Sequence, residues 1–250
     1  MPAQGIAGEA IWISGASSGI GAALLDSAPA EAAAVIGISR RPSAAADHIA
    51  ADLADPAQWD LVRASFDQLL VAGLPRATLL HFAGIGRPHG PAAAADPVEY
   101  ERGVLLNGAS GQVLGQYFLR ACRAAGIPCR IVLCSSPAAL RPLFGMSHYN
   151  AAKAGYDRWA ECIRLEVGPE EAVVFTVIPW SVDTPMLRGV MDLPPEIDPV
   201  GAEVRELDRR GGLARPEDVA DEVWALLDAG GVEETAQVGA IPDDLGGPAE

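Results

Sequence analysis

Four residues along the chain, Asn107, Ser136, Tyr149 and Lys153, have types and spacings suited to proton transfer. Tyr149 and Lys153 are four positions apart in residues 147–153 (SHYNAAK), which predict the start of a helix and so place both side chains on one face. An ammonium close to a phenol favours the phenolate and lowers the phenol pKa from its ordinary value of about 10. Such a pair can exchange a proton with an oxygen atom, but the Tyr-Lys pattern is common and gains meaning only from the elements that position it.

Short apolar runs alternate with alanine-rich segments of helix length. The strand candidates are residues 9–14, 34–39, 78–83, 130–134 and 172–178, with shorter ones at 48–51 and 236–241. The helix candidates are residues 19–28, 56–72, 97–125, 147–167 and 216–229. Nearly continuous apolar strands are typical of a parallel sheet covered on both faces. The alternation predicts an α/β fold with a doubly wound, Rossmann-type parallel sheet, three layers (α/β/α) and a single domain over residues 1–250.

Composition excludes several function classes. The chain has 250 residues, of which 50% are hydrophobic and 20% charged, so it can bury a large core and is not a disordered acidic chain. Its formal net charge of −15 argues against nucleic acid and anionic membranes as partners, because both require a basic face. No apolar run reaches the roughly 20 residues that span a bilayer, and no signal peptide is evident. Four dispersed cysteines and four dispersed histidines predict a cytoplasmic protein with reduced thiols and no catalytic metal.

The first strand candidate runs into a glycine-rich turn, residues 14–21 (SGASSGIG), that opens the first helix. Gly15, Gly19 and Gly21 allow a tight turn, close approach of the backbone to a pyrophosphate and close packing of helix against strand. The helix N-terminus then directs its free N–H groups at the anion. In this position the glycines predict a dinucleotide-binding turn.

Part of the same segment also matches a hydrolase motif. Residues 15–19 (GASSG) fit the GxSxG nucleophile elbow, in which Ser17 would be the nucleophile. An elbow requires several preceding strands, one of which helps to build the oxyanion hole. Only 14 residues precede Gly15, so the dinucleotide interpretation is favoured.

The end of the second strand predicts which dinucleotide binds. An NAD site has a carboxylate there, about 20 residues after the glycines, that binds the ribose 2′-hydroxyl. This chain instead has Ser39, Arg40 and Arg41, and the next acidic residue is Asp47. Two guanidinium groups can hold a 2′-phosphate, although surface ion pairs are the alternative role for them. We predict a preference for NADP(H).

Together these features resemble a short-chain dehydrogenase/reductase of the single-domain type, over nearly the whole chain. The matching features are the glycine turn, Asp52, Ala83, Gly84, Asn107, Ser136, Tyr149, Lys153 and residues 179–184 (PWSVDT). The resemblance implies that Tyr149 is the general acid/base and that Ser136 orients the substrate oxygen. It also implies that Lys153 binds the nicotinamide ribose and that Asn107 holds a water that passes protons to Lys153.

The resemblance further assigns cofactor contacts. Ile20 is expected at the pyrophosphate turn, Asp52 at the adenine amino group, and Val182 with Thr184 at the carboxamide. The predicted cofactor-binding residues are Gly15, Ser17, Ser18, Gly19, Ile20, Gly21, Ser39, Arg40, Arg41, Asp52, Ala83, Gly84, Tyr149, Lys153, Pro179, Val182 and Thr184.

Two segments depart from the family pattern. His81 and Phe82 stand where the family has two asparagines that brace neighbouring strands, which puts the local hydrogen bonding in doubt. Trp180 replaces a glycine after Pro179, where it would either line the substrate pocket or pack into a lid.

The implied activity is the reversible, NADPH-dependent reduction of a ketone or aldehyde to an alcohol by a homodimer or homotetramer. Residues 186–212, rich in proline, glycine and charge, predict a substrate lid, with a mobile loop without function as the alternative. An apolar or aromatic substrate is suggested by Leu140, Leu143, Phe144, Met146, Trp180, Met186 and Leu187. The competing function is a catalytically silent NADP(H)-binding regulator, although such proteins typically lack the tyrosine or the lysine.

Overall fold

The computed structural model describes residues 8–45, 47–70, 73–232 and 234–239. Its strands are β1 (Ala10–Ser14), β2 (Ala34–Ser39), β3 (Asp47–Ala50), β4 (Ala77–His81), β5 (Cys129–Cys134), β6 (Ala172–Pro179) and β7 (Thr235–Val238). They form one parallel sheet in the order β3-β2-β1-β4-β5-β6-β7. The predicted doubly wound, Rossmann-type fold is confirmed. The ends of the predicted helix 56–72, at residues 71–72, and of the predicted strand 236–241, at residues 240–241, lie outside the described residues.

Helices cover both faces of this sheet. They are α1 (Gly19–Asp26), α2 (Trp59–Leu69), α3 (Pro97–Val104), α4 (Ser110–Ala125), α5 (Ser147–Glu166), α6 (Pro185–Met191), α7 (Val200–Arg209) and α8 (Pro216–Asp228). Helices α1 and α8 pack together on one face, and α2 packs beside α4 on the other. No helix in the described parts of the chain has both the length and the apolar content needed to cross a membrane.

Each face of the sheet has its own apolar core, because successive side chains of a strand point to opposite layers. In β1, Trp12 packs edge to face with Phe66 and Phe118, and the ring centroids are between 5.0 and 5.5 Å apart. The next residue, Ile13, points to the opposite layer and packs with Phe175. The two layers hold the strands rigidly, and their carboxyl ends therefore form a fixed platform for side chains.

The segment predicted as one helix, residues 97–125, is divided into two. A π turn, Leu105–Ala109, separates α3 from α4, and Asn107 lies buried within it. Turns of this kind insert an extra residue into a helix and often occur at functional sites. Hydrophobic periodicity does not distinguish such a turn from regular helix, which is why the sequence predicts one helix here.

The predicted lid, residues 186–212, contains regular structure. Pro185 and the Thr184 side chain begin α6, since Thr184 Oγ1 accepts a hydrogen bond from the backbone N–H of Leu187 at 3.3 Å. Helix α7 follows after a short connection and buries Val204 against the rest of the segment. Prolines and charged residues interrupt the apolar spacing that would predict these two helices, so the sequence alone does not reveal them.

Candidate active site

A cavity of about 790 Å³ opens at the carboxyl edge of the sheet. The strand order reverses between β1 and β4, where Ser14 pairs with His81, and sheets of this kind bind their ligands at such a switch point. The cavity brings together Ser136, Tyr149 and Lys153 with the glycine turn and with residues from α6 and α7. Of the predicted apolar lining, Leu140 and Phe144 do not line it; their side chains are 60% and 55% exposed outside it.

Helix α5 places Tyr149 and Lys153 one turn apart on the face that meets the cavity. Lys153 is only 2% exposed, and its Nζ donates a hydrogen bond to the Cys134 carbonyl at 2.7 Å. The same Nζ lies 5.5 Å from the ring centroid of Tyr149 and 4.8 Å from that of Tyr156. The ammonium is therefore held between two aromatic rings at the end of β5.

Burial controls the ionisation of this pair. It raises the pKa of the Tyr149 phenol above its ordinary value, an effect to which the Cys134 thiol adds and which a hydrogen bond from Ser136 opposes. Burial also lowers the pKa of Lys153. Desolvation therefore disfavours the phenolate in this structure, and the expected lowering of the phenol pKa stays a prediction for the complex with the cofactor. Tyr149 is a protonated phenol at neutral pH and can donate.

Ser136 and Asn107 hold the loops on either side of Tyr149. Ser136 follows β5, and its Oγ accepts a hydrogen bond from the backbone N–H of Ala138 at 3.2 Å, which leaves its hydroxyl proton to be donated. The Asn107 amide is bonded twice to Ile85: Oδ1 accepts from its N–H and Nδ2 donates to its carbonyl, both at 2.8 Å. Asn107 thus positions the loop that follows β4, and the water that it was expected to hold stays a prediction.

A buried histidine replaces the family's bracing asparagines. Ser110 donates to the Leu106 carbonyl at 2.7 Å, so the His81 Nε2–H donates to Ser110 Oγ at 3.2 Å and Nδ1 accepts from the Ser14 hydroxyl at 3.0 Å. Ser14 Oγ in turn accepts the backbone N–H groups of the two residues after His81, each at 3.1 Å. Burial, reinforced by the charge of Lys153, lowers the pKa of His81 to about 3. This neutral network ties β1, β4 and the π turn together.

The glycine turn has the shape of a dinucleotide cradle. A Cβ on Gly15 would lie 2.9 Å from the Ala83 nitrogen, and one on Gly21 would lie 2.5 Å from the Gly15 carbonyl oxygen. Gly19 has a φ of +57°, which disfavours residues with a side chain. Ser18 precedes α1 without forming a side-chain cap, so the first N–H groups of the helix are open to a phosphate. These residues fit a dinucleotide.

Two exposed arginines follow directly after β2. Arg40 and Arg41 form no ion pair within 4.0 Å among the residues that the structure describes. The buried Ser39 hydroxyl beside them donates to the Arg41 carbonyl at 2.7 Å and lies 3.0 Å from His48 Nε2. His48, which carries no motif in the sequence, thus helps to fix the backbone that presents the arginines.

Asp52 lies close enough to Arg40 to be affected by its charge, and both of its carboxylate oxygens already accept hydrogen bonds. One oxygen pairs with Arg102 at 2.8 Å, and the other accepts the backbone N–H of Ala54 at 3.0 Å. Burial alone would raise the Asp52 pKa, but these hydrogen bonds and the charge of Arg40 lower it overall. The predicted contact with an adenine amino group stays a prediction for this ionised carboxylate.

The segment after β6 closes the crevice from the other side. Trp180 lines the cavity, and its indole N–H donates to Gln237 Oε1 at 3.1 Å, so it forms a wall rather than part of a lid. Ser181 follows with a φ of +35°. Val182 is 6% exposed, and the methyl group of Thr184 lies 3.1 Å from where a Cβ on Gly19 would be. Thr184 thus faces the glycine turn across the crevice, and the contact of Val182 and Thr184 with the carboxamide stays a prediction.

The sequence analysis missed one polar pair in the cavity wall. His89 Nδ1 lies 2.9 Å from Asp198 Oδ2, and both side chains are largely buried. The two residues are 109 positions apart, and neither belongs to a motif. Only the tertiary packing of the segment before α7 brings them together.

Comparisons with known proteins agree with this architecture. The family described as short chain dehydrogenase matches residues 9–192. L-xylulose reductase from Bos taurus is 28% identical over 233 residues, which cover 89% of this chain and 90% of that protein. Benzil reductase ((S)-benzoin forming) from Bacillus cereus is 25% identical over 241 residues, which cover 87% of this chain and 93% of that protein.

A solved structure shares the fold at lower identity. A putative 2-deoxy-D-gluconate 3-dehydrogenase from Agrobacterium tumefaciens, with bound NADP, has a TM-score of 0.76 and 19% identity, and the match covers 96% of this chain and 98% of that one. The family match covers well over half of the chain. The chain therefore belongs to the short-chain dehydrogenase/reductase family of oxidoreductases.

Proposed function

We propose that the chain is an NADPH-dependent carbonyl reductase, which converts a ketone or aldehyde to an alcohol and can run in reverse. The proposal rests on one observation: Ser136, Tyr149 and Lys153 converge on the same cavity as the glycine cradle. A bound nicotinamide dinucleotide would supply a hydride to the carbonyl carbon. Negative charge then develops on the carbonyl oxygen, which requires a proton and hydrogen bonds at that moment.

The protein groups divide this work between them. Tyr149 donates the proton, since its phenol is protonated at neutral pH and lies in the cavity with Ser136 and Lys153. Ser136 donates a second hydrogen bond to the same oxygen and fixes its position. Lys153, held by the Cys134 carbonyl, places a positive charge beside Tyr149 and would bind the nicotinamide ribose.

The direction of the reaction determines how its rate depends on pH. Reduction uses the protonated phenol of Tyr149, which persists up to its raised pKa, whereas oxidation of the alcohol needs the phenolate. We expect kcat/KM for reduction to stay level from about pH 6 to about pH 10, below the raised pKa, and kcat/KM for oxidation to increase with pH. Steady-state kinetics in both directions from about pH 6 to about pH 10 measures this. Two profiles with the same slope would contradict the role of Tyr149.

The choice of cofactor depends on Arg40 and Arg41. Each guanidinium can form charge-assisted hydrogen bonds with a 2′-phosphate, and each such bond is worth about 1.5–3 kcal/mol. Replacing both arginines with alanine, and so removing one such bond from each, should raise the Kd for NADPH about 10²- to 10⁴-fold and leave the Kd for NADH within about 3-fold. Fluorescence titration of both cofactors measures this, with the exposed Arg123→Ala as the control. Wild-type protein that binds NADH as tightly as NADPH would disprove the assignment.

The substrate is expected to be apolar or aromatic around its carbonyl group. Leu143, Met146, Trp180, Met186 and Leu187 line the cavity beside Tyr149, and α6 with α7 forms its lid. The two relatives are named for the reduction of benzil and of L-xylulose, which are both ketones. These names support a ketone as the substrate.

A direct assay tests the proposed function. The purified chain is incubated with NADPH and a panel of ketones and aldehydes that includes benzil and L-xylulose, and NADPH absorbance is followed. Loss of absorbance that depends on the carbonyl compound and on the protein is the expected result. Tight NADPH binding without turnover of any compound would favour the silent regulator.

A further inference from the structure

We infer that His89 is a specificity-determining residue that selects ketones carrying a hydroxyl group one to three carbons from the reacting carbonyl. The inference rests on the proposed carbonyl reduction and adds a substrate class to it. The imidazole Nε2 accepts a hydrogen bond from the substrate hydroxyl, and Asp198 holds the ring in the required orientation and tautomer.

Asp198 fixes the ring from the far side. Its side chain is completely buried, Oδ2 lies 2.9 Å from His89 Nδ1, and Oδ1 accepts the backbone N–H of Val200 at 2.9 Å. A buried carboxylate accepts hydrogen bonds and cannot donate them, so the proton between the two groups is on Nδ1. In the neutral ring Nε2 therefore carries a lone pair.

Nε2 is directed at the cavity. His89 lines the cavity, and among the residues that the structure describes no protein group forms a hydrogen bond with its Nε2. A Cβ on Gly86 would lie 3.3 Å from this nitrogen and 3.5 Å from the Met186 γ carbon, so a glycine at position 86 leaves room for the ring. The other nearby histidine, His148, has its Nε2 bonded to the Arg87 carbonyl at 3.1 Å.

Lys153 and His89 lie beside the same loop, which follows β4. A Cβ on Gly84 would lie 4.0 Å from Lys153 Nζ, and Gly86, which is beside His89 Nε2, is two residues further along the loop. Two residues span at most about 7 Å, so the two nitrogens lie within about 17 Å of each other. The inference places the substrate along this loop, with its carbonyl group at Tyr149 and its hydroxyl group toward His89.

A polar atom that faces the cavity without a protein partner can influence selectivity. Met186 lies beside His89, since its γ carbon would be 3.5 Å from a Cβ on Gly86, and its thioether is only a weak acceptor. A site built to bond a hydroxyl rejects the analogue that lacks it, because the site's own polar atom is then left without a partner. His89 should thus favour hydroxy ketones over ketones of the same shape.

Matched pairs of ketones test the inference. The pairs are 2-hydroxyacetophenone with propiophenone and 3-hydroxypropiophenone with butyrophenone, in which a methyl group replaces the hydroxyl. For at least one pair, wild-type kcat/KM should favour the hydroxy ketone about 10-fold or more, and His89→Phe should bring that ratio close to 1. The ratio does not depend on how much of a variant is folded, since both ketones are measured on the same sample.

His89→Gln keeps the test decisive if the phenylalanine variant does not fold. The glutamine amide can still bond a hydroxyl, so it should restore part of the preference. Long-range ¹⁵N–¹H spectra add a readout without turnover: the Nε2 resonance of His89 should shift with the hydroxy ketone and not with its methyl analogue.

The outcomes separate the inference from the proposed function. A ratio near 1 in wild-type protein for both pairs, or a preference that His89→Phe leaves intact, overturns the role of His89 while carbonyl reduction stands. Absence of turnover with every ketone overturns both.

Discussion

Replacing Tyr149 with phenylalanine is expected to lower kcat for carbonyl reduction by about 10²–10⁴-fold, the usual contribution of a positioned general acid. The variant lacks only the phenolic oxygen, and Tyr149, the proposed proton donor, lies in the cavity with Ser136 and Lys153. The ring itself remains to pack beside Lys153, whose Nζ is 5.5 Å from its centroid. Fold and NADPH affinity should therefore be unchanged.

Tyr156 provides a matched control on the same helix. It is also close to Lys153, with 4.8 Å between Nζ and the ring centroid, but it is fully buried and packs against His81 instead of facing the cavity. Tyr156→Phe removes the same atom from the same helix but outside the cavity, and it should keep kcat within about 3-fold of wild type. Steady-state kinetics with NADPH, together with the Kd for NADPH and the Tm of each variant, completes the comparison. A Tyr149→Phe enzyme with wild-type kcat would refute the proposed mechanism.

The parts of the site that the sequence predicts are those determined by local chemistry. Strand ends come within two residues of the prediction for β1 to β6, because apolar runs and glycine turns mark them directly. Tyr149 and Lys153 share a helix, so their spacing alone places them together. The cradle at Gly15, Gly19 and Gly21 likewise depends on consecutive residues.

The parts that the sequence does not predict depend on contacts between distant segments. His89 meets Asp198 only because the segment before α7 folds over the loop after β4. The raised pKa of Tyr149 arises from burial, which no spacing of residues reveals. His81 is predicted correctly as a core histidine, yet its role as a brace requires Ser14 and Ser110 from two other elements.

A buried ion pair at the amino edge of the sheet also depends on contacts that the sequence does not predict. Arg130 lies within the apolar run that predicts β5, and it is 1% exposed. Its Nη2 contacts both carboxylate oxygens of Glu9 at 2.5 and 2.6 Å, its Nη1 donates to the Leu227 carbonyl at 2.6 Å, and Thr78 donates to Glu9 at 2.8 Å. The cluster joins β4, β5 and the end of α8 at the amino edge of the sheet, away from the cavity.

Arg130→Met should reduce the free energy of unfolding by about 3–5 kcal/mol, because it leaves the Glu9 carboxylate buried without its main partner. Arg76, whose Nη1 is 3.5 Å from Glu9, offers only partial compensation. The double variant Glu9→Leu/Arg130→Met removes both charges and should recover part of this loss, although the Leu227 carbonyl loses its donor. Denaturant unfolding of the three proteins measures these differences.

The matched control is Arg123→Met, which breaks an ion pair with Glu171 in which both side chains are exposed, at 64% and 38%. Exposed pairs contribute about 0–1 kcal/mol, so this variant should unfold almost as wild type does. Because the Arg130 cluster lies at the opposite edge from Tyr149, folded Arg130→Met should keep the wild-type kcat. A loss in unfolding free energy no larger than that of Arg123→Met would show that the buried pair contributes little, and a lowered kcat in fully folded protein would show that the two edges of the sheet are coupled.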